Sequence, residues 1–547
     1  MLGSFAYLLT YLAGQRGFFA LDQAFIFDGG YRILFGQVPY KDFVVPFGPV
    51  VFLVQALFFK LFGVTFQASI IGAAASNVVA TFLVFFILRR LVPSPWFVPY
   101  LGAMLTAVWF YPPFGTLYTE QTGFLLALAG MWCVAATGNR LVHLSSGSRA
   151  LFAAAGGLAT ATFLTKQNIG AFIIPLYPVL MLTVLEGRPR LLWRALAWWF
   201  AGALGIFALF WAWLAMYGDI GNFLTHVLEL PAEVGQGRLF KKGLLGLLKG
   251  VLIGVGPKPV LRSVVVTLEV LAFVIIGFAA RHVLAGRRDA RVTLYLGLLC
   301  VFLIHVQHLY TYTALNDAVN GWPFLGLIVA VSMGLLYQIL APKPEAFARV
   351  RMVPTRSALE LCVAVLGISV TVVLGAVGIR AAMTRQVHDL FSGSRFSERI
   401  SVPGLEALKW GVPTQINRRD ITKEHIEQLY GYLRSRGKRF FVFPHFTIFY
   451  GLLEAVPPQP LVCFFAGVTH PERYDARLDK WIVADLERNG IDTVVLETVA
   501  FGNVTDMGGE MKYFPEVRTY LERTFEQRGE IGMFRLYEKR RSGPHAG

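Results

Sequence analysis

Three carboxylates lie close together near the start of the chain, in the segment DQAFIFDGGYRILFGQVPYKDFVVPFGP. If the segment begins with a helix, Asp28 and Arg32 stand four residues apart and pair on the surface. Asp22 has only apolar residues at the same spacings, so no cation on its own helix holds it. A carboxylate without a permanent cationic partner is suited to take a proton from a hydroxyl or amine during group transfer. Asp22 is therefore a candidate for a catalytic base.

Two of these acids also have structural interpretations. Asp22 precedes the helix that it would cap, and aspartate is a good N-cap residue. Asp42 follows Pro39 and Tyr40, where its side chain caps a turn or contacts a substrate. Both alternatives stay open at the level of sequence.

A lysine and two amides interrupt the apolar segment FLTKQNIGAFIIP. The runs on either side, about 16 or 17 residues each, are short for full membrane crossings, which predicts a recessed hairpin apex. A buried ammonium needs an anion, and a lipid phosphate or pyrophosphate is a natural partner for Lys166. The alternative is a lysine that extends to water and only marks the turn. We take Lys166 and its neighbour Gln167 as candidate substrate-binding residues.

Two further positions are candidates near the predicted outer surface. Glu120, in YTEQTG, either helps to seat an acceptor or caps the following helix. His305 and His308 are three residues apart, but two histidines without a third ligand are weak evidence for a metal. We therefore assign His308 to hydrogen bonding with a donor or sugar, or to a structural polar interface. No cofactor is predicted, although a divalent cation stays open.

The composition of the whole chain requires a membrane around these residues. Only 15% of the 547 residues are charged and 55% are hydrophobic, against roughly 25% charged in ordinary soluble proteins. The mean hydropathy is +0.56. The net charge of +16 lies mostly in short Arg-rich segments between apolar runs, which indicates membrane topology and not a nucleic-acid site. The four cysteines have no motif spacing, so neither a disulfide framework nor a zinc site is expected.

About eleven apolar runs are suitable for crossing a bilayer as helices. They lie near residues 2 to 20, 67 to 88, 97 to 112, 122 to 137, 150 to 165, 169 to 185, 193 to 216, 260 to 280, 292 to 308, 321 to 340 and 358 to 380. Lys and Arg concentrate in alternate loops, which places those loops and the N-terminus in the cytoplasm. The first outer loop and everything after about residue 381 are then extracytoplasmic.

The chain changes character after the last of these runs. Its apolar segments shorten to strand length and alternate with amphipathic helical stretches. The predicted helices are 424–436, 477–488 and 516–527, and the predicted strands are 439–443, 493–496 and 533–537. The fold class is therefore an all-α multispanning membrane domain, residues 1–380, with a small extracytoplasmic α/β domain, residues 381–547.

The first outer loop resembles that of the GT-C glycosyltransferases. The resemblance rests on an acidic residue just after the first crossing, on RILFGQVPYKDF, and on the Gly-Pro and FKLFG that follow. It is strong over about residues 20 to 90, looser over the other spans, and uninformative for the C-terminal domain. In this superfamily the first outer loop carries the catalytic carboxylate. Asp22 matches that position and Asp42 matches a second common acid, while Glu120 and the Leu-Thr-Lys ending at Lys166 are also similar.

The resemblance implies an integral membrane glycosyltransferase that moves a sugar from a polyprenyl-phosphate donor to a lipid, glycan or protein acceptor, with inversion. Arg32 is then a candidate for stabilising the leaving phosphate together with Lys166. A multispanning transporter or lipid flippase is the main alternative, although the repeat symmetry and broken helices typical of that class are not visible. A membrane scaffold whose outer domain binds a partner is a third possibility. No Walker A loop and no Gly-x-Ser-x-Gly element is present.

Overall fold

The computed structural model of the chain describes residues 1–92, 94–137, 144–185, 188–233, 325–340, 356–384, 395–412, 421–500, 503–504 and 510–540, together with Val274 and Gly277. The N-terminal part is helical. Its helices are α1 (Leu2–Gly14), α2 (Ala20–Leu34), α3 (Val50–Phe62), α4 (Phe66–Leu91), α5 (Phe97–Trp109), α6 (Thr119–Ala136), α7 (Ser146–Phe163), α8 (Gln167–Val184), α9 (Pro189–Tyr217), α10 (Ile220–Phe223) with a following π-helical turn (Leu224–Glu229), α11 (Leu325–Leu340) and α12 (Arg356–Met383).

Among the described residues, four helices are long and apolar enough to cross a membrane, namely α4, α8, α9 and α12. Shorter apolar helices are α1, α3, α5 and the first fourteen residues of α11. By length and composition the chain is a multi-pass membrane protein. The crossings predicted at 260–280 and 292–308 lie outside the described residues, apart from Val274 and Gly277.

The first predicted crossing, residues 2 to 20, is too long. Helix α1 ends at Gly14, and Gly17 follows with a φ of +67° that only glycine adopts easily. The Gly17 N–H donates to the Lys409 carbonyl, and the Lys409 N–H donates to the Gln15 carbonyl. Backbone pairing with the C-terminal part of the chain therefore replaces the last turns of the expected helix.

The first outer loop packs tightly against the hairpin that precedes Lys166. At Gly48, an added Cβ would lie only 1.8 Å from the Leu164 carbonyl oxygen. The Val50 N–H also points to that carbonyl at 3.4 Å. This close backbone approach requires glycine at position 48 and brings the start of α8 beside the loop that carries the carboxylates.

The C-terminal part is a small α/β unit, as the sequence predicts. Its elements are β1 (Arg395–Arg399), β2 (Lys409–Val412), α13 (Lys423–Arg436), β3 (Phe440–Phe443), α14 (Ile448–Leu452), α15 (Ala476–Arg488), β4 (Thr493–Glu497), β5 (Val499–Ala500), β6 (Asn503–Val504), a 3₁₀ turn (Glu510–Tyr513), α16 (Pro515–Thr524), β7 (Phe525–Ile531) and β8 (Phe534–Lys539).

The central sheet has four strands in the order β3, β4, β8, β7. Strands β3 and β4 are parallel, with Phe441 opposite Val494, and the other pairs are antiparallel. The helix predicted at 516–527 is wrong at its end, because it stops at Thr524. Phe525 begins strand β7 and pairs with Lys539, so the hairpin with β8 overrides the local helical pattern.

The α/β unit and α2 share a hydrophobic core. Phe27 and Tyr31 of α2 are buried in one cluster with Phe449 and Leu452. Strand-like pairing continues this contact, since the Val44 N–H donates to the Pro460 carbonyl at 2.8 Å. The first outer loop therefore packs against both the N-terminal helical part and the C-terminal α/β unit. The division into two domains near residue 380 stays a prediction.

Candidate active site

Asp22 lies in the first turn of α2, on the outer loop and outside the predicted crossings. Phe19 is the N-cap residue, with an extended backbone and no side-chain cap bond. The Gln23 side-chain oxygen instead accepts from the Phe19 N–H at 2.8 Å. The N-cap interpretation of Asp22 is therefore wrong, because Asp22 is the third helical residue and Gln23 returns to the start of the helix.

The Tyr118 hydroxyl is a donor to this carboxyl. Tyr118 is the N-cap residue of α6, and its side chain is hydrogen bonded to the Asp22 carboxyl. Its ring stacks on Phe114, with centroids 4.0 Å apart, which orients the hydroxyl. Sequence reasoning missed Tyr118, although it directly precedes the TEQTG run in which Glu120 was noticed.

Lys166 and Glu120 form an ion pair at the same place. Their Nζ and Oε1 atoms are 2.9 Å apart, and their side chains are 20% and 4% exposed. The ammonium also lies 5.3 Å from the centre of the Phe47 ring, within cation–π range. These contacts favour a place for Lys166 in the site over a lysine that extends to water and only marks the turn.

Burial raises the pKa of Asp22 to about 7. The negative charge of Glu120 acts in the same direction, while Lys166, the Tyr118 hydrogen bond and His445 lower the value. Burial also raises the pKa of Tyr118 well above its usual range, so its hydroxyl stays a donor. A carboxyl that titrates near neutral pH has the basicity that general-base catalysis needs under physiological conditions.

Gln167 and Asp42 make contacts that hold the outer loop in place. The Gln167 Nε2 donates to the carbonyls of Pro46, at 2.8 Å, and Val227, at 3.1 Å. Asp42 Oδ2 accepts from the Val38 N–H at 2.7 Å and closes a turn. These contacts favour the structural interpretation of Asp42, and they link Gln167 to the π-helical turn after α10.

Arg32 is far from Asp22. Ten residues of helix separate them, which is about 15 Å along the axis. Arg32 Nε lies 2.8 Å from Asp28 Oδ2, with both side chains fully buried, so the predicted pair forms but its predicted surface location is wrong. The guanidinium also donates to the carbonyls of Gln459, at 2.8 Å, and Leu461, at 3.3 Å. This environment favours a structural role over phosphate binding.

The C-terminal unit reaches the Asp22 end of α2 through the residues after β3. Phe446 packs against Phe18, with ring centroids 5.8 Å apart. The neighbouring His445 is buried, and its Nδ1 lies 3.4 Å from Glu497 Oε2. The sequence alone does not indicate that the residues after β3 lie near Asp22. His445 and Glu497 were therefore not predicted to lie here.

Two predictions about ligands are not tested. His308 lies outside the described residues. Within the described part of the chain, no group of three His, Cys, Asp or Glu side chains is placed to hold a metal ion. The cofactor expectation therefore stays a prediction.

The fold is similar to that of two solved structures of ArnT. ArnT from Cupriavidus metallidurans bound to undecaprenyl phosphate superposes with a TM-score of 0.56 at 13% identity, over 100% of this chain and 98% of that chain. Its apo state gives a TM-score of 0.54 at 12% identity, over 98% and 97%. The fold implied by the GT-C resemblance is thus confirmed.

A third solved structure is more distant. The archaeal oligosaccharyltransferase AglB from Archaeoglobus fulgidus, in complex with an inhibitory peptide and a dolichol-phosphate, gives a TM-score of 0.47 at 13% identity, over 100% of this chain and 74% of that chain. No protein-family model matches the chain. No curated protein matches it either.

Proposed function

We propose that this chain is an integral membrane glycosyltransferase that moves one sugar from a polyprenyl-phosphate donor to an acceptor outside the cytoplasm, with inversion. The observation that carries the proposal is the position of the Asp22 carboxyl, which is hydrogen bonded to Tyr118 near the Glu120–Lys166 pair and whose pKa is raised by burial to about 7. The ArnT-like fold supports it, since one of the similar structures holds undecaprenyl phosphate.

Asp22 is the base of the proposed reaction. A lone pair of the acceptor oxygen or nitrogen attacks the anomeric carbon on the face opposite the lipid phosphate. The new bond forms while the bond from the anomeric carbon to the phosphate oxygen breaks, and the electron pair leaves with the polyprenyl phosphate. The acceptor proton passes to the Asp22 carboxylate, which Tyr118 orients through its hydrogen bond.

Lys166 is the candidate partner of the lipid phosphate. Its ammonium is fixed between Glu120 and the Phe47 ring at the N-terminus of α8. A helix N-terminus and an ammonium both favour an anion. In this proposal Gln167 acts indirectly, because its side chain hydrogen bonds the outer loop to the start of α8. Asp42 stabilises a turn of the same loop.

The proposal includes the predicted topology of about eleven crossings with the C-terminal unit outside. A reporter fused after Gly547 should be active only outside the cytoplasm, and one fused after Arg149 only inside. Arg149 lies in the first turn of α7, at the end opposite to Lys166. The reverse pattern would place Asp22 in the cytoplasm and overturn the site assignment.

The decisive experiment is transfer by the purified protein in lipid vesicles. Synthetic undecaprenyl-phosphate carrying glucose, mannose, galactose, N-acetylglucosamine or aminoarabinose would be supplied with membrane lipid extract as acceptor. We expect one sugar to be released from its carrier in a reaction that the Asp22→Asn variant does not perform. Movement of a lipid across the vesicle bilayer without bond cleavage would support the flippase alternative and overturn the proposal.

A further inference from the structure

Tyr40 has an unusual backbone conformation in the first outer loop. Its φ is +69°, in the left-handed region that favours glycine and that bulky residues rarely adopt. The Tyr40 N–H donates to the Phe43 carbonyl at 2.6 Å, which closes the turn at this point. A strained residue of this kind persists only where its surroundings hold it, and such residues cluster at functional sites. The contacts of Tyr40 therefore bear on what the loop does.

Two contacts fix the strained turn to α10. The Asn222 Nδ2 donates to the Tyr40 carbonyl at 2.9 Å. The fully buried Tyr40 ring packs edge-on against Phe223, with ring centroids 5.1 Å apart. Asn222 is held in turn by the C-terminal unit, because its Oδ1 accepts from Arg477 at 3.1 Å. Two other parts of the chain thus keep Tyr40 in its conformation.

The Tyr40 hydroxyl contacts the part of the loop that touches the start of α8. It donates to the Phe47 carbonyl at 2.7 Å. Burial raises the pKa of Tyr40 well above its usual range, so the hydroxyl keeps its proton. The Phe47 ring lies 5.3 Å from the Lys166 ammonium, and the Gln167 side chain donates to the adjacent Pro46 carbonyl at 2.8 Å. The segment that Tyr40 holds is therefore in contact with Lys166 and Gln167.

We propose that Tyr40 is a positioning residue for Lys166: its hydroxyl holds the Phe47 backbone, so that the Phe47 ring keeps the ammonium in place next to Glu120. The inference rests on the proposed function where it concerns phosphate binding, whereas the position of the ammonium can be measured without a ligand. It gives a role to the tyrosine of QVPYKDF, which the proposed reaction does not use.

The Phe47 ring supplies what Glu120 alone does not. The Glu120 carboxylate fixes the Lys166 ammonium at 2.9 Å, but its negative charge also repels an incoming phosphate. An aromatic ring attracts an ammonium through its quadrupole and carries no net charge. Holding the ring at Lys166 therefore orients the ammonium without further repulsion of an anionic ligand.

Amine labelling of the ligand-free, full-length protein tests the positioning role. Tyr40→Phe removes the hydroxyl and keeps the ring. Acetic anhydride reacts with Lys166 when its amine leaves the ring and the carboxylate, and mass spectrometry measures the rate. We expect labelling about three- to tenfold faster in Tyr40→Phe, because one buried hydrogen bond is lost. Lys423 is the internal reference, since it is similarly exposed and also paired with a glutamate.

The matched control is Tyr450→Phe. The buried Tyr450 hydroxyl accepts from the Val442 N–H at 2.9 Å and donates to Gln459 Oε1 at 3.1 Å, within the C-terminal unit. Its loss should leave the labelling of Lys166 unchanged. If Tyr40→Phe is not stably folded, Asn222→Ala provides the second test. It removes the bond to the Tyr40 carbonyl and should also speed the labelling of Lys166.

A double-mutant cycle tests whether the effect passes through Phe47. Binding of undecaprenyl phosphate to the purified protein in nanodiscs should weaken about threefold or more in Tyr40→Phe. In the Phe47→Leu background the ring is already absent, so adding Tyr40→Phe should cause little further loss.

The outcomes separate this inference from the proposed function. Unchanged labelling of Lys166 in folded Tyr40→Phe overturns the positioning role, even when Lys166→Ala loses affinity for undecaprenyl phosphate. An equal loss of affinity with and without Phe47 overturns it too. Faster labelling in Tyr40→Phe, with none in Tyr450→Phe, supports the positioning role, even when equal affinity of Lys166→Ala and Lys166→Arg overturns the phosphate role of Lys166.

Discussion

Helix α2 carries the same chemical group in its first turn and in its second half, in different surroundings. Asp22, in the first turn, is hydrogen bonded to Tyr118 and lies near a paired lysine on another helix. Asp28, six residues further along, is fully buried against Arg32. Asp22 is half-buried, and of the two carboxyls only Asp28 has a guanidinium in direct contact.

This difference separates a carboxylate that can exchange a proton from one that holds two parts of the molecule together. Arg32 contacts Asp28 on its own helix and the carbonyls of Gln459 and Leu461 in the C-terminal unit. The Arg32 end of α2 is therefore a structural joint. The Asp22 end keeps a carboxyl whose pKa of about 7 leaves both protonation states accessible.

The same substitution at the two positions should give opposite results. Asp22→Asn keeps the size of the side chain but removes its basicity, so transfer should fall by about 10²- to 10⁴-fold. The unfolding temperature should change little, because Asp22 does not cap the helix. Transfer rates and thermal unfolding of the purified variants measure the two effects. Near-normal transfer by Asp22→Asn at wild-type membrane levels would exclude Asp22 as the base, and Asp42→Asn would be the next test.

Asp28→Asn should instead destabilise the protein, by about 3 to 5 kcal/mol, because it leaves the Arg32 guanidinium buried without its countercharge. Transfer per folded molecule should fall far less than in Asp22→Asn. The paired variant Asp28→Leu with Arg32→Met is the control, since removing both charges should cost less than removing one. An unchanged unfolding temperature in Asp28→Asn would contradict the structural role of this end of the helix.

The sequence predicted local features well where periodic patterns decide them. The helix expected at 424–436 is present as Lys423–Arg436, and the strand expected at 493–496 as Thr493–Glu497. The predictions from sequence were wrong where segments distant in the chain come into contact. The helix expected to reach residue 527 ends at Thr524, because the next residues pair in a hairpin.

The site shows the same division. The i, i+4 spacing predicted the contact of Asp28 with Arg32, but its burial depends on carbonyls more than 400 residues away in the chain. The sequence indicated Glu120 and Lys166 as separate candidates, each from its neighbouring residues. Only the fold shows that the two side chains form an ion pair. Single-sequence patterns carry no information on such pairings between helices.

Lys166 offers a smaller test of the Asp22 end. Lys166→Ala should weaken binding of undecaprenyl phosphate by about tenfold or more, because a charge-assisted contact to the phosphate is lost. Lys166→Arg should bind more tightly than Lys166→Ala, since it keeps the charge. Binding to the purified protein in nanodiscs measures both. Equal affinity of the two variants would remove Lys166 from the phosphate site.

The Glu120 contact requires one more variant in that experiment. Lys166→Ala leaves the nearly buried Glu120 carboxylate without its ammonium, and this charge alone would repel a phosphate. Combining Lys166→Ala with Glu120→Gln removes the repulsion. Affinity that stays low in the combined variant supports direct contact of Lys166 with phosphate. Affinity that returns to the wild-type level would show that Lys166 acts only by neutralising Glu120.

The smallest expected effect is the pH dependence of the wild-type protein. Burial raises the pKa of Asp22 to about 7, and a base must be deprotonated to accept a proton. Transfer should therefore be fully present above this pKa and fall as the pH drops through it, by about tenfold between pH 8 and pH 6. The measurement is kcat/KM across this range with a non-titrating alcohol acceptor, so that only the enzyme changes its protonation. Asp42→Asn is the control and should show the same acid limb, because Asp42 is engaged in its own turn. A rate that is constant from pH 8 to pH 5 would mean that no carboxyl with the properties of Asp22 takes the proton. The difference in environment between Asp22 and Asp28 would then have no role in catalysis.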